Sequence, residues 1–134
     1  MEFALAAGAQ ELLLVGALGG RLDQMLANVL ILAQRNWPAT LQLVAGNQLV
    51  QLVLPHQMVT FVAAVGDTVS ALPLSDTVAG ITYTGMRYPL DNHTLHFGST
   101  RGISNEVSAT PATVRITSGR LLIIQTLATI PHPA

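Results

Sequence analysis

The 134-residue chain has no cysteine, which excludes disulfides and thiolate metal sites. Charge is almost as scarce: Asp, Glu, Lys and Arg together make up 10% of residues, against about 25% in ordinary soluble domains. Lysine is absent; the six basic residues are dispersed arginines, set against seven acidic residues. A nucleic-acid groove needs clustered cations interleaved with stacking aromatics. Neither is present in a chain that is 4% aromatic. Long apolar runs are missing too. "ELLLVGALGG" and "LLIIQTLATI" fall short of the ~18 to 20 residues of a membrane span. The start, "MEFALAAGAQ", lacks the basic region and apolar core of a secretory signal, so a cytoplasmic setting is expected. "NHT" at Asn92 matches a glycosylation sequon only formally.

Half of the residues are apolar. A free monomer with so few charges cannot cover its surface in the usual way. The composition therefore predicts either a partner on the apolar surface or a chain that is part of something larger.

The pattern changes once along the chain. Residues 2–10 read as the end of a helix stopped at Gly8. "ELLLVG" is a continuous apolar run, the mark of a strand covered on both faces as in parallel sheets. "RLDQMLANVLILAQRN" carries Leu22, Met25, Leu26, Val29, Leu30 and Ala33 at helical spacing, and Pro38 forbids continuation. "LQLVA", 41–45, reads as a second parallel-type strand. From near Gly46-Asn47 onward, seven or eight short β-rich runs alternate with turn signals, which predicts an antiparallel sandwich or barrel. Hairpins are expected around Asp91-Asn92 and around Ser118-Gly119. The expected fold class is α+β: a remnant of an α/β nucleotide-binding layer in residues 1–46, then an antiparallel β-sandwich in 47–134.

Two constellations can carry chemistry. The first is the corner Gly19-Gly20-Arg21-Leu22-Asp23-Gln24, where a strand turns into a helix. Free N–H groups and the positive end of the helix dipole favour an anion there. Arg21 adds a donor fork suited to phosphate oxygens, and Asp23 can hold Mg²⁺ or offset the dipole. Arg21, Gln24 and Asn28 recur at i, i+3 and i+7 as one polar stripe. The same residues also suit a plain tight connection, and the corner is neither G-x-G-x-x-G nor a P-loop. The second is "GSTRGISNE", 98–106, rich in donors and acceptors at a sandwich end; a structural loop of Asx and Ser turns reads the same way. The histidines offer less. His93 and His96 lie three apart on an expected strand, hence on opposite faces, while His56 and His132 stand alone. "GISNE" is no nucleophile elbow. Trp37 is expected to pack under its turn.

Together, "GALGGRLDQMLANVLIL", "ITYTGMRYPLDNHTLHFGSTRGISNE" and the closing "GRLLII" resemble the C-terminal portion of the thiamine pyrophosphokinases, from about Phe3 to Ile124. "VSALPLS", 69–75, resembles a sandwich strand of that family. The resemblance implies transfer of a diphosphoryl group from ATP to the thiamine hydroxyl, with Mg²⁺ and release of AMP, by a homodimer holding thiamine near its interface. It implies that Gly20, Arg21, Asp23 and Gln24 belong to the ATP–Mg²⁺ side, with Arg21 and Asp23 catalytic and Asp23 at the metal. Ser104 and Asn105 belong to the thiamine side. The family carries an acidic "GDFDS"-like segment and a Thr-Asp element upstream of the corner, and this chain has neither. The expectation is thus a truncated kinase half with very low or no activity alone. The alternative is a catalytically inactive thiamine-binding and dimerisation module that docks on a separate nucleotide-binding half.

Overall fold

The computed structural model describes residues 1–16 and 20–128. It begins with a short helix, α1 (Glu2–Ala6), that ends where Gly8 takes φ +92°. Strand β1 (Glu11–Val15), helix α2 (Leu22–Ile31) and strand β2 (Thr40–Ala45) form a parallel crossover unit, in register from Glu11 opposite Thr40 to Val15 opposite Val44. After the turn at Gly46 the chain is antiparallel: β3 (Gln48–Val53), β4 (Met58–Phe61), β5 (Thr68–Pro73), β6 (Thr77–Thr84), β7 (His93–His96), β8 (Asn105–Glu106), β9 (Ala112–Arg115) and β10 (Leu121–Thr126). The molecule is mostly β-sheet with few helices, folded as a β-sandwich. One sheet has the order β1-β2-β3-β10-β5-β8, the other β4-β9-β6-β7. The first sheet runs unbroken across Gly46-Asn47, because β2 pairs antiparallel with β3.

Strand β10 explains why "LLII" has no polar alternation. Leu121 and Ile123 face the layer between the sheets, with Val53, Ile81 and Val114. Leu122 belongs to the other side, with Leu41, Leu43, Val50 and Leu32, against which Val29 of α2, Trp37 and Ile124 pack. A strand buried on both faces has no place for a polar residue until Gln125. That side chain is satisfied internally: its Nε2 donates to Val62 O at 2.9 Å and to Asp67 Oδ2 at 3.4 Å. Asp67 in turn accepts from Ala64 N at 3.0 Å and Ala128 N at 2.8 Å. The far end of α2 is fastened by Arg120, which donates to Ala33 O and to Asn36 Oδ1. A cation on carbonyls left open after a helix is favourable for hydrogen-bond and dipole reasons alike.

Two expectations fail. Ser118-Gly119 makes no hairpin: β9 pairs with β4 and β6, while β10 pairs with β3 and β5, so the turn carries the chain from one sheet to the other. Gly119, at φ +90°, passes so close that an added Cβ would lie 2.4 Å from Thr77 O. Nor is β1 covered on both faces. Leu12 and Leu14 pack beneath α2, but Leu13 and Val15 are 58% and 74% exposed. The reason is position: β1 is the outer strand of the sheet, and only one of its faces meets a helix. On α2 itself, Leu22, Leu26 and Leu30, one turn apart, also face outward. The hairpin between β6 and β7 does form, with Val78 opposite Leu95 and Ile81 opposite His93.

Candidate functional site

The loops between β6 and β8 converge at one end of the sandwich. Gly85, at φ +73°, brings the chain so close to Ala109 that an added Cβ would sit 2.3 Å from its carbonyl oxygen. From there residues 86–88 run beside 105–107: Met86 bridges Val107, Arg87 N donates to Glu106 O at 2.8 Å, and Tyr88 meets Asn105. The Asn105 amide substitutes for a strand partner. Its Oδ1 accepts from Tyr88 N at 3.0 Å and Glu106 N at 2.9 Å, and its Nδ2 donates to Tyr88 O at 2.8 Å. On the other side, Ala71 N donates to Gly102 O at 2.9 Å, and a Cβ on Gly102 would approach Ala71 O to 2.4 Å. Ser104 adopts φ +60°, and its N–H donates to Ser70 Oγ at 3.0 Å.

These segments enclose a cleft of about 290 Å³ lined by Tyr83, Tyr88, Pro89, Leu90, Arg101, Gly102, Ile103 and Asn105. Its walls are aromatic and aliphatic, with an arginine and an amide, a composition suited to a flat organic ring. Arg101 is exposed. Arg87 is drawn aside, 3.5 Å from Glu106 Oε2 and 5.4 Å from the centre of the Tyr88 ring. Tyr83 points inward from β6 and is 6% exposed, and burial pushes its hydroxyl up to about 12. Its hydroxyl is a buried side-chain oxygen with no hydrogen-bond partner among the described residues.

The glycine corner lies elsewhere. Gly20 takes φ +73°; Gly19 lies outside the described residues. Arg21 is the N-cap of α2, extended, with no side-chain cap. Its Nη2 is 2.5 Å from Asp23 Oδ2 and its Nε 3.1 Å from Oδ1, and Gln24 N donates to Oδ1 at 3.0 Å. With the two side chains 73% and 63% exposed, water screens the pair. Among the described residues no group of three or more His, Asp or Glu could hold a metal, and both Asp23 oxygens already meet Arg21. These residues do not fit a magnesium cage. The sequence-predicted residues thus form two clusters. Ser104 and Asn105 adjoin the cleft beside β8, whereas Gly20, Arg21, Asp23 and Gln24 follow β1, at the opposite edge of the six-stranded sheet. Five inter-strand steps separate those edges, about 24 Å at ~4.8 Å per step.

A second depression of about 240 Å³ lies under the end of α2, lined by Gln10, Arg35, Trp37, Thr40 and their neighbours. Two of its side chains are committed: Trp37 Nε1 donates to Ile31 O at 2.9 Å, and Arg35 stacks 4.1 Å above the Trp37 ring and pairs with Glu2. Trp37 therefore packs under its turn, as expected. Sequence reasoning overlooked Tyr83 and Tyr88. The signal was there, since the chain's two tyrosines both fall within "ITYTGMRYPL".

Comparison with known proteins shows the family. The sequence model of the family described as "Thiamin pyrophosphokinase, vitamin B1 binding domain" matches residues 54–121, just over half of the chain. The chain belongs to the thiamine pyrophosphokinase family. A curated thiamine pyrophosphokinase from Bacillus subtilis is 27% identical over 126 residues, covering 93% of this chain and 59% of the relative. A crystal structure of the thiamine pyrophosphokinase from that species superposes with a TM-score of 0.86 at 26% identity, covering 96% of this chain and 60% of the other. The thiamin pyrophosphokinase of Geobacillus thermodenitrificans is 31% identical with a TM-score of 0.76, covering 96% and 59%. The chain therefore spans about three fifths of the length of these thiamine pyrophosphokinases. The matched segment contains every residue of the cleft; it does not reach the Gly20–Gln24 corner.

Proposed function

We propose that this chain is the vitamin-binding portion of a thiamine pyrophosphokinase, which moves a diphosphoryl group from ATP to the thiamine hydroxyl and releases AMP. The observation that carries the reading is the coincidence of the family match with the cleft: residues 54–121 include the whole ring-sized, mostly apolar cavity between Tyr83 and Asn105. Thiamine is a cationic, aromatic vitamin. Tyr88, Pro89, Leu90 and Ile103 would flank its ring. Ser104 would present a hydroxyl at the lip. Asn105 would act chiefly by holding Tyr88 in place, since one amide hydrogen remains after its three bonds.

On this reading, residues 1–46 are the last part of an α/β nucleotide-binding layer and 47–134 the vitamin-binding sandwich. Gly20, Arg21, Asp23 and Gln24 would serve the polyphosphate, with Arg21 turning from Asp23 to phosphate oxygens. Diphosphoryl transfer depends on positioning and charge neutralisation, which an arginine at a helix start supplies. Magnesium would have to be held largely by phosphates and by carboxylates outside this chain. One subunit cannot bring the corner to the cleft across about five strand spacings. A complete site therefore needs the corner of one copy beside the loop of another, which supports a homodimer. A cytoplasmic setting belongs to the same proposal; among the described residues no helix is long and apolar enough to cross a membrane.

The second reading, an inactive vitamin-binding module docked on a separate nucleotide-binding half, is favoured by the exposed Leu13 and Val15 of β1 and Leu22, Leu26 and Leu30 of α2. Calorimetry with thiamine, with and without Mg-ATP, combined with an assay for AMP, separates the readings. The vitamin-binding function requires heat on adding thiamine alone. Ordinary small-molecule-kinase rates of AMP formation would exclude the docked module, and no heat from thiamine under any condition would remove both.

A further inference from the structure

The Tyr83 hydroxyl has no partner among the described residues, yet Tyr83 is one of the residues that line the cleft. A covered, unpaired hydroxyl is unfavourable. Natural folds keep such groups mainly where something else completes them. The neighbours do not. Tyr83 N is used by Leu90 O at 2.9 Å, and the side chain sits in the layer of Met86, Leu95 and Val107. The polar atoms across the cleft, Asn105 Oδ1 and Tyr88 O, are already joined to each other's residue.

We propose that Tyr83 is a ligand-contacting residue whose hydroxyl donates a hydrogen bond to a ring-nitrogen acceptor of a flat heteroaromatic molecule seated among Tyr88, Pro89, Leu90 and Ile103. This deepens the proposed vitamin-binding function and rests on it; the aminopyrimidine ring of thiamine has the required acceptor. The hydroxyl is a donor and not a phenolate at neutral pH: an ordinary tyrosine ionises near 10, and burial pushes this one up to about 12. Since its oxygen is sealed from water, ligand entry must part the side chains beside it, an adjustment of the kind interfaces commonly make. The contact sets specificity by the asymmetry of hydrogen bonding. A ligand with an acceptor at that point completes the site, and one without leaves the hydroxyl as unpaired as before.

The test compares the full chain with its Tyr83→Phe variant by thermal melting without ligand and by calorimetric titration with thiamine. Removing an unpartnered hydroxyl leaves the ligand-free melting temperature unchanged or raised. Removing the ligand's donor weakens thiamine binding about 3- to 10-fold, the range of one neutral hydrogen bond. Wild-type binding with unchanged affinity in Y83F overturns the inference and leaves the vitamin-binding function standing. A fall in the melting temperature of ligand-free Y83F, or its failure to fold, also overturns it, since the hydroxyl then has an internal partner. Absence of thiamine binding by the wild type removes the function and the inference together.

Discussion

Replacing Asn105 by alanine tests whether the cleft is held open by one amide. The side chain is 6% exposed and makes three hydrogen bonds of 2.8–3.0 Å, two to the backbone of Tyr88 and one to the backbone N–H of Glu106. Alanine removes all three and leaves two N–H groups and a carbonyl without partners. Each neutral bond is worth about 1 kcal/mol net, and buried groups left unpaired cost about 1–3 kcal/mol each when water cannot reach them. Tyr88 stands at the cleft mouth, so water recovers part of the loss, and the expected destabilisation is about 2–4 kcal/mol. Urea unfolding measures it directly; the midpoint should fall with little change in slope. Asn105→Asp is the informative companion. It retains acceptors for the two N–H groups but turns an oxygen toward Tyr88 O, where Nδ2 now donates, and most of the loss should persist. A cost below about 0.5 kcal/mol for N105A, within the range of ordinary surface substitutions, would refute the claim that this amide fastens the loop.

Other expectations follow from the same structure. Gly85→Ala meets both a positive φ and a Cβ placed 2.3 Å from Ala109 O, whereas Gly98→Ala meets only φ +88° in open space; thermal melts should show G98A losing roughly 1–2 kcal/mol and G85A clearly more. Asp67→Ala strips the acceptors of Ala64 N, Ala128 N and Gln125, and denaturant titration should record a loss of about 2–4 kcal/mol. Arg21→Ala breaks an exposed ion pair, so chemical denaturation should move by less than about 0.5 kcal/mol, although nucleotide-dependent activity in any complete kinase assembly should be lost. The Tyr83 hydroxyl ionises near 10 when unfolded and at about 12 when folded. Its stabilisation is full below pH 10 and is lost as pH rises toward 12, by roughly 2–3 kcal/mol at about 1.4 kcal/mol per unit. The pH dependence of stability in wild type and Y83F should differ only on that alkaline limb.

Local pattern revealed much of this fold. The helical spacing of α2 and the strand runs from β3 to β10 are properties of short windows, and most of those windows match an element, although "EVSAT" meets β8 only at Glu106. Long-range properties were hidden. Ser118-Gly119 carries a strong turn signal, but the signal is the same whether the next strand returns to its own sheet or joins the other. The apolar run of β1 suits burial on two faces, and no window can show that one face has nothing packed on it. Asn105 was legible as a polar residue in a polar loop. Its grip on Tyr88, seventeen residues away, depends on folding. Tyr83 reads as an ordinary inward strand residue, because an unpartnered hydroxyl is a fact about neighbours.

The central claim, that the cleft between Tyr83 and Asn105 receives the vitamin, is met most directly by nuclear magnetic resonance of the ¹⁵N-labelled full chain titrated with thiamine. The account predicts amide shifts concentrated at Tyr88, Gly102, Ile103, Asn105 and the adjoining turns, with the groove beneath Trp37 unmoved. Shifts that cluster around Trp37, or a spectrum that thiamine leaves unchanged, would contradict it.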